Sequence, residues 1–130
     1  MRSNAREAAF KIIFSQQFQG TAVAGFKSRI YKGEKLNEED TAFADPLVAL
    51  VEEHRAEVTD AITERVERVA EHRIYKADMA IMLLGLAEMR YCDDVPPLVS
   101  VTEAAALARK YSTENSVNFV SGVLGGFIES

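Results

Sequence analysis

Lys76-Ala-Asp-Met-Ala-Ile-Met-Leu-Leu-Gly-Leu-Ala-Glu-Met-Arg-Tyr91 decides the fold. Ala, Leu, Met and Glu are strong helix formers, so the stretch predicts a helix. Its apolar residues Ala77, Met79, Ala80, Ile81, Met82, Leu83, Leu84, Leu86 and Met89 cover nearly every side. A helix that is apolar all round belongs at the centre of a bundle. Gly85 costs about 1 kcal/mol in mid-helix relative to Ala, which points to close packing against a neighbouring helix. The longest apolar run, Met79–Ala87, is nine residues. A membrane span needs about twenty, so none is expected.

Working outward, the rest of the 130-residue chain reads as helices punctuated by few Gly and Pro residues. No segment alternates with period two, so strands are not expected. A first helix over Asn4–Phe18 takes Asn4 or Ser3 as N-cap and carries an apolar stripe of Ala9, Ile12 and Ile13 beside Phe10 and Phe14. A second covers Val23–Tyr31 and stops at Lys32-Gly33-Glu34. A third is expected after Asn37, where acids favour a first turn, and carries Phe43, Leu47, Leu50 and Val51; either it starts at Asp45 with Pro46 in its first turn, or it kinks at Pro46. A fourth runs over Glu57–Val69. After Cys92-Asp93-Asp94-Val95-Pro96-Pro97, a capping box Ser100-Val-Thr-Glu103 opens the sixth helix. The last helix holds Val117, Val120, Val123, Leu124, Phe127 and Ile128, with Gly122, Gly125 and Gly126 allowing close approach. The expectation is an all-α protein of about seven helices, without strands.

Composition narrows the function. The net charge is −5, from 15 Lys and Arg against 20 Asp and Glu. Residues 1–32 hold Arg2, Arg6, Lys11, Lys27, Arg29 and Lys32 against Glu7 alone, 6 − 1 = +5, leaving −10 for the remainder. That balance argues against coating long duplex DNA, and not against gripping a short nucleic acid with one local patch. The N-terminus shows no apolar secretory h-region. One cysteine, Cys92, forms no internal disulfide and fits a reducing cytoplasm.

Catalytic patterns are scarce. The only histidines, His54 and His72, lie in charged stretches. Cys92 has acidic neighbours that raise a thiol pKa. No phosphate loop, dinucleotide motif or metal-ligand spacing is present, so no enzyme, cofactor or metal is expected.

Binding patterns are richer. Arg2, Asn4, Arg6 and Lys11 stand at or just inside a helix start, where free N–H groups and the macrodipole favour phosphate. Lys110-Tyr-Ser-Thr-Glu-Asn-Ser-Val-Asn-Phe119 joins basic, aromatic and amide side chains of the kind that read unstacked RNA bases. A solubilising N-terminus, core aromatics and plain helix caps explain the same residues, so both alternatives stay open here.

Three stretches together resemble the NusB family of bacterial transcription antitermination factors. They are Ala5-Arg-Glu-Ala-Ala-Phe10; Ile74-Tyr-Lys-Ala-Asp-Met-Ala-Ile81 through Glu88-Met89 to Asp94-Val-Pro96; and Val101-Thr-Glu-Ala104, Leu107-Ala-Arg-Lys-Tyr111 and Phe119-Val-Ser-Gly-Val-Leu124. The resemblance implies two small helical bundles packed together, roughly 1–70 and 71–130, within a single domain. It implies binding of boxA-type single-stranded leader RNA with a small-subunit ribosomal protein acting as NusE. It also implies entry into the RNA polymerase antitermination complex and support of processive ribosomal RNA transcription in the cytoplasm. Carried over by position, Arg2, Arg6 and Phe119 match RNA-contacting positions, with Asn115 and Asn118 in the same turn and helix start. Asp78 matches an acid facing the protein partner. Glu88 matches another acid, where a structural role is an equal alternative.

Relative to that pattern the basic opening is thin, with Ser3 where more basic members carry arginine. Met79, Leu83 and Asn118 also replace basic residues. Fewer cations predict weaker and less salt-sensitive RNA binding by the isolated chain. A protein-only helical adaptor on the same fold is the alternative. The apolar residues of the second and third helices could also form a homodimer interface rather than interior.

Overall fold

The computed structural model describes residues 2–19, 26–69 and 74–128. These form six helices: α1 (Arg2–Gln19), α2 (Phe26–Gly33), α3 (Glu38–Val69), α4 (Lys76–Tyr91), α5 (Pro97–Tyr111) and α6 (Glu114–Gly125). No strand occurs among the described residues. The expected break at Gly20, the start of the second helix at Val23, and His72 lie outside the described residues.

Helix α4 has the bounds its composition predicts and packs against α1, α3, α5 and α6. Its residues from Ile81 to Glu88 are all buried. Around them gather Ile12 and Ile13 of α1, Leu47, Val48, Val51 and Ile62 of α3, and Leu124 of α6. A Cβ at Gly85 would stand 2.7 Å from Leu124 Cδ1 and 3.6 Å from Ala104 Cβ. The missing side chain therefore sets how closely α4 meets α5 and α6.

The third and fourth expected helices run on as α3, with a kink between them at His54. α3 passes through Pro46, and its non-helical residue is His54 (φ −108°, ψ 15°). Asn37 Oδ1 accepts from Asp40 N at 2.8 Å, so α3 starts well before Pro46. Pro46 and Ala42 are exposed, so the carbonyl that Pro46 leaves unbonded can reach water. At His54 the apolar stripe skips a turn between Val51 and Val58. His54 stacks on Tyr91 with ring centroids 4.1 Å apart, and Arg55 donates to Gln16 Oε1 at 2.6 Å. His54 is thus packed, not solvated as its charged neighbourhood suggested.

Other local expectations shift by about a turn. α1 begins at Arg2, which puts Ser3 and Asn4 inside its first turn. α5 begins at Pro97 in the first helical position, where its missing N–H is harmless. Ser100 therefore caps nothing, and its hydroxyl donates to Glu88 Oε1 at 2.6 Å. α6 is capped by Thr113, whose hydroxyl accepts from Ser116 N at 3.1 Å, and ends at Gly125. A Cβ at Gly122 or Gly125 would meet nothing within 4 Å. Close approach is confined to Gly126, against which the Arg65 guanidinium lies.

Gly85→Ala should cost about 1–3 kcal/mol by overpacking, measured by chemical denaturation. The same substitution in a Leu124→Ala background should cost clearly less. Equal costs in both backgrounds would show that the Gly85–Leu124 contact is not the reason for the glycine.

Candidate nucleic-acid interface

The basic residues of α1 point in three directions. Arg2 lies on the surface, half-exposed, with Nη2 3.3 Å from Asp94 Oδ2 and its guanidinium 4.4 Å from the Phe43 ring centroid. Asn4 is exposed beside it. Lys11 turns to α2 and pairs with Glu34.

Arg6 turns inward. It is 5% exposed, and its Nε donates to Glu88 Oε1 at 3.1 Å and Oε2 at 2.8 Å. Nη1 lies 3.7 Å from Glu103 Oε1, and Glu103 also accepts from Ser3 Oγ at 3.0 Å. Glu103, read as a capping-box acid, thus serves the α1–α5 contact.

Glu88 is 2% exposed and is held by Arg6 and Ser100. Asp78 is also 2% exposed. It accepts from Ser112 Oγ at 2.6 Å and Ser116 Oγ at 2.9 Å. The two acids expected to meet a protein partner therefore stand inside the fold. A buried carboxylate needs its hydrogen bonds met internally, and here they are. Asp78 ties the start of α4 to the turn that launches α6, and so fixes where Asn115 and Asn118 stand. Both amides are exposed. Phe119 is half-buried and packs on the core, as does Tyr111.

The second basic cluster forms around Tyr111. Lys110 Nζ lies 2.6 Å from Glu7 Oε1, and Tyr111 donates its hydroxyl to the same carboxylate. Lys11 and Lys110 flank the Tyr111 ring at 5.9 and 5.5 Å from its centroid. Burial pushes the Glu7 carboxyl up. Hydrogen bonds from Lys110 and Tyr111 and the charges of Lys110 and Lys11 outweigh that, so it sits below its ordinary value. The Tyr111 phenol is raised by burial and by its bond to Glu7. Sequence reading passed over Glu7, although its position four residues before Lys11 is a recognised helical pairing. It also passed over Phe43 and Asp94, which only the fold brings to Arg2.

Burial, then the charges of Glu88 and Asp94, hold the Cys92 thiol above its usual value. Among the described residues no cluster of His, Cys, Asp and Glu could hold a metal ion. No helix among them is long and apolar enough to cross a membrane.

Six helices among the described residues, one of them the central apolar α4, with cations and amides on α1, α5 and α6, define an all-helical protein with a polar candidate binding face. The chain belongs to the NusB family, whose model matches residues 3–129. It is a transcription antitermination factor and not an enzyme. It is 34% identical over 128 residues to the transcription antitermination protein NusB of Agathobacter rectalis, covering 97% of this chain and 98% of that one. It is 35% identical over 130 residues to the Nocardioides protein of the same name, covering 99% and 94%. The fold matches that of a crystal structure of the antitermination factors NusB and NusE with double-stranded RNA. That match has a TM-score of 0.85 and 21% identity, covering 98% of this chain and 96% of that one.

Two predictions follow from the charge geometry. Arg6→Ala strands Glu88 in the interior and should cost about 3–5 kcal/mol of stability. Arg2→Ala removes an exposed pair and should cost less than about 1 kcal/mol. Denaturation of the two variants checks the contrast, and equal costs would refute it. Because the Glu7 carboxyl is depressed in the fold, its contribution is present above the ordinary carboxylate value and is lost as pH falls through the folded one. Glu7→Gln should therefore flatten the acid limb of the stability–pH profile while leaving its shape near neutrality unchanged.

Proposed function

We propose that this chain binds boxA-type single-stranded leader RNA jointly with a small-subunit ribosomal protein acting as NusE. In this way it supports processive ribosomal RNA transcription within the RNA polymerase antitermination complex, in the cytoplasm. The family match over residues 3–129 supports the reading, as does the fold shared with a NusB that was solved with NusE and double-stranded RNA.

The observation that carries it is the state of the surface cations. Arg2 is held by the exposed carboxylate of Asp94, and the exposed Lys110 by Glu7, a mostly covered carboxylate that Tyr111 also holds. A phosphate can take the place of Asp94 at Arg2 without leaving a buried charge behind. Arg2, Asn4, Lys11, Lys110, Asn115 and Asn118 then form the RNA-facing group, with Phe119 behind the amides. Arg6 holds α1 in place from within. Asp78 and Glu88 shape the partner surface from inside by fixing helix starts and crossings.

Because internal carboxylates already neutralise these cations, RNA binding by the chain alone is weak. The ribosomal partner completes the site. Titration of labelled boxA RNA with and without that partner tests this. The expected result is a large gain in affinity with the partner and a preference for boxA over a scrambled RNA. Equal affinity in both cases would sink the shared site. Arg2→Ala should weaken the joint complex by about 1–3 kcal/mol.

A further inference from the structure

Among the described residues, two groups of cations contrast. Arg2, Arg6, Lys11 and Lys110 are each paired with a carboxylate. The side chains of Arg29, Lys32 and Lys35 are exposed and make no hydrogen bond or ion pair within the described residues.

Their position is fixed by the fold. Ile30 and Tyr31 pack on the core, and Tyr31 donates its hydroxyl to Asp45 at 3.0 Å. Arg29 and Lys32, three apart, therefore share the outward side of α2, separated by a rise of about 4.5 Å. Lys35 follows at the left-handed position of the helix end, with φ 57°. Lys35 N donates to Lys32 O at 3.0 Å and Leu36 N to Tyr31 O at 3.1 Å, which is the Schellman arrangement. Glycine holds that position without the Cβ clash a lysine suffers. Gly33 stands two residues earlier, inside α2 and in open space. A left-handed position thus carries an exposed cation.

The patch adjoins the strip described above. Glu34, from the same turn, pairs with Lys11, and its charge reaches Lys110 and Tyr111. Between Arg29 and Lys35 the exposed residues are Lys32 and Gly33, and no exposed apolar side chain interrupts them. A protein partner would need an apolar centre to bury. A run of phosphates needs none.

We infer that the outward face of α2 and its terminal turn, Arg29, Lys32 and Lys35, bind the phosphate backbone of RNA flanking the segment held by α1 and α5. The inference rests on the RNA-binding reading. It adds a sequence-independent contact that lengthens the RNA footprint.

The test uses the full chain with its ribosomal partner and two labelled single-stranded RNAs, one boxA-sized and one extended on both sides. Anisotropy is followed across a salt series. The Arg29→Gln/Lys32→Gln variant should weaken binding of the extended RNA and lower its log–log salt slope by about 0.7 per cation removed. Scrambling the flanks should not change that loss, and the short RNA should bind as before. Lys35→Gly should raise Tm by relieving the left-handed lysine and yet weaken binding of the extended RNA. That combination separates a lost contact from a lost fold. If wild type binds RNA but both variants keep its affinity and slope for the extended RNA, the α2 surface is refuted and the RNA reading stands. If wild type binds neither RNA, the RNA reading falls and this surface falls with it.

Discussion

A buried guanidinium facing a buried carboxylate joins the N-terminal helix to the rest of the molecule. Arg6 and Glu88 lie 82 residues apart in sequence, with Nε 2.8 Å from one carboxylate oxygen and Ser100 bonded to the other. Neither charge could stay in the interior alone, because an unpaired buried ion costs several kcal/mol. The pair therefore forms only when α1, α4 and α5 meet in one register. With Arg6 turned inward at that crossing, Arg2 stands about one turn nearer the helix start at the surface, and Asn4 faces out from the other side of that turn. The geometry of the proposed RNA grip thus depends on a contact that RNA never sees. Asp78 plays the corresponding part at the other end of α4, where two serine hydroxyls lock the start of α6.

Much of the fold was legible because it follows from local rules. The apolar surround of Lys76–Tyr91 identified the central helix and its bounds. Gly85 announced close packing, and a Cβ there would indeed meet Leu124 at 2.7 Å. What escaped was non-local. Periodicity put Arg6 on a helix face but cannot name a partner at Glu88. Ser100 and Glu103 match a capping box in spacing, yet Pro96 and Pro97 start the helix earlier, which frees both side chains for α1 and α4. Pro46 looked like a boundary because a proline removes one helical bond. The helix continues through it because Asn37 caps an earlier start and the ring faces solvent.

The candidate site was legible in residue type and less so in state. Arg2, Asn4, Asn115 and Asn118 are exposed. Arg6, Asp78 and Glu88 are interior. A charge counted along a sequence carries no sign of whether another charge already cancels it. Lys11 with Glu34, and Lys110 with Glu7, illustrate the gap. Both lysines sit where a nucleic acid could meet them, and both are neutralised by acids of this same chain.

The +5 of residues 1–32 consequently does two jobs. Paired cations contribute little field at a distance, since each is screened by its own carboxylate within a few ångströms. They act at contact, where a phosphate must fit the geometry that the carboxylate held, and such exchange favours a ligand of the right shape. Cations with no ion pair among the described residues, such as Arg29 and Lys32, act at longer range, and their field adds to the encounter rate with any polyanion. In the proposed reading of this acidic protein of net charge −5, steering of RNA comes from such a patch. In the same proposal, discrimination comes from the paired strip beside it. Placing the two next to each other lets an acidic chain attract a nucleic acid without holding every one it meets.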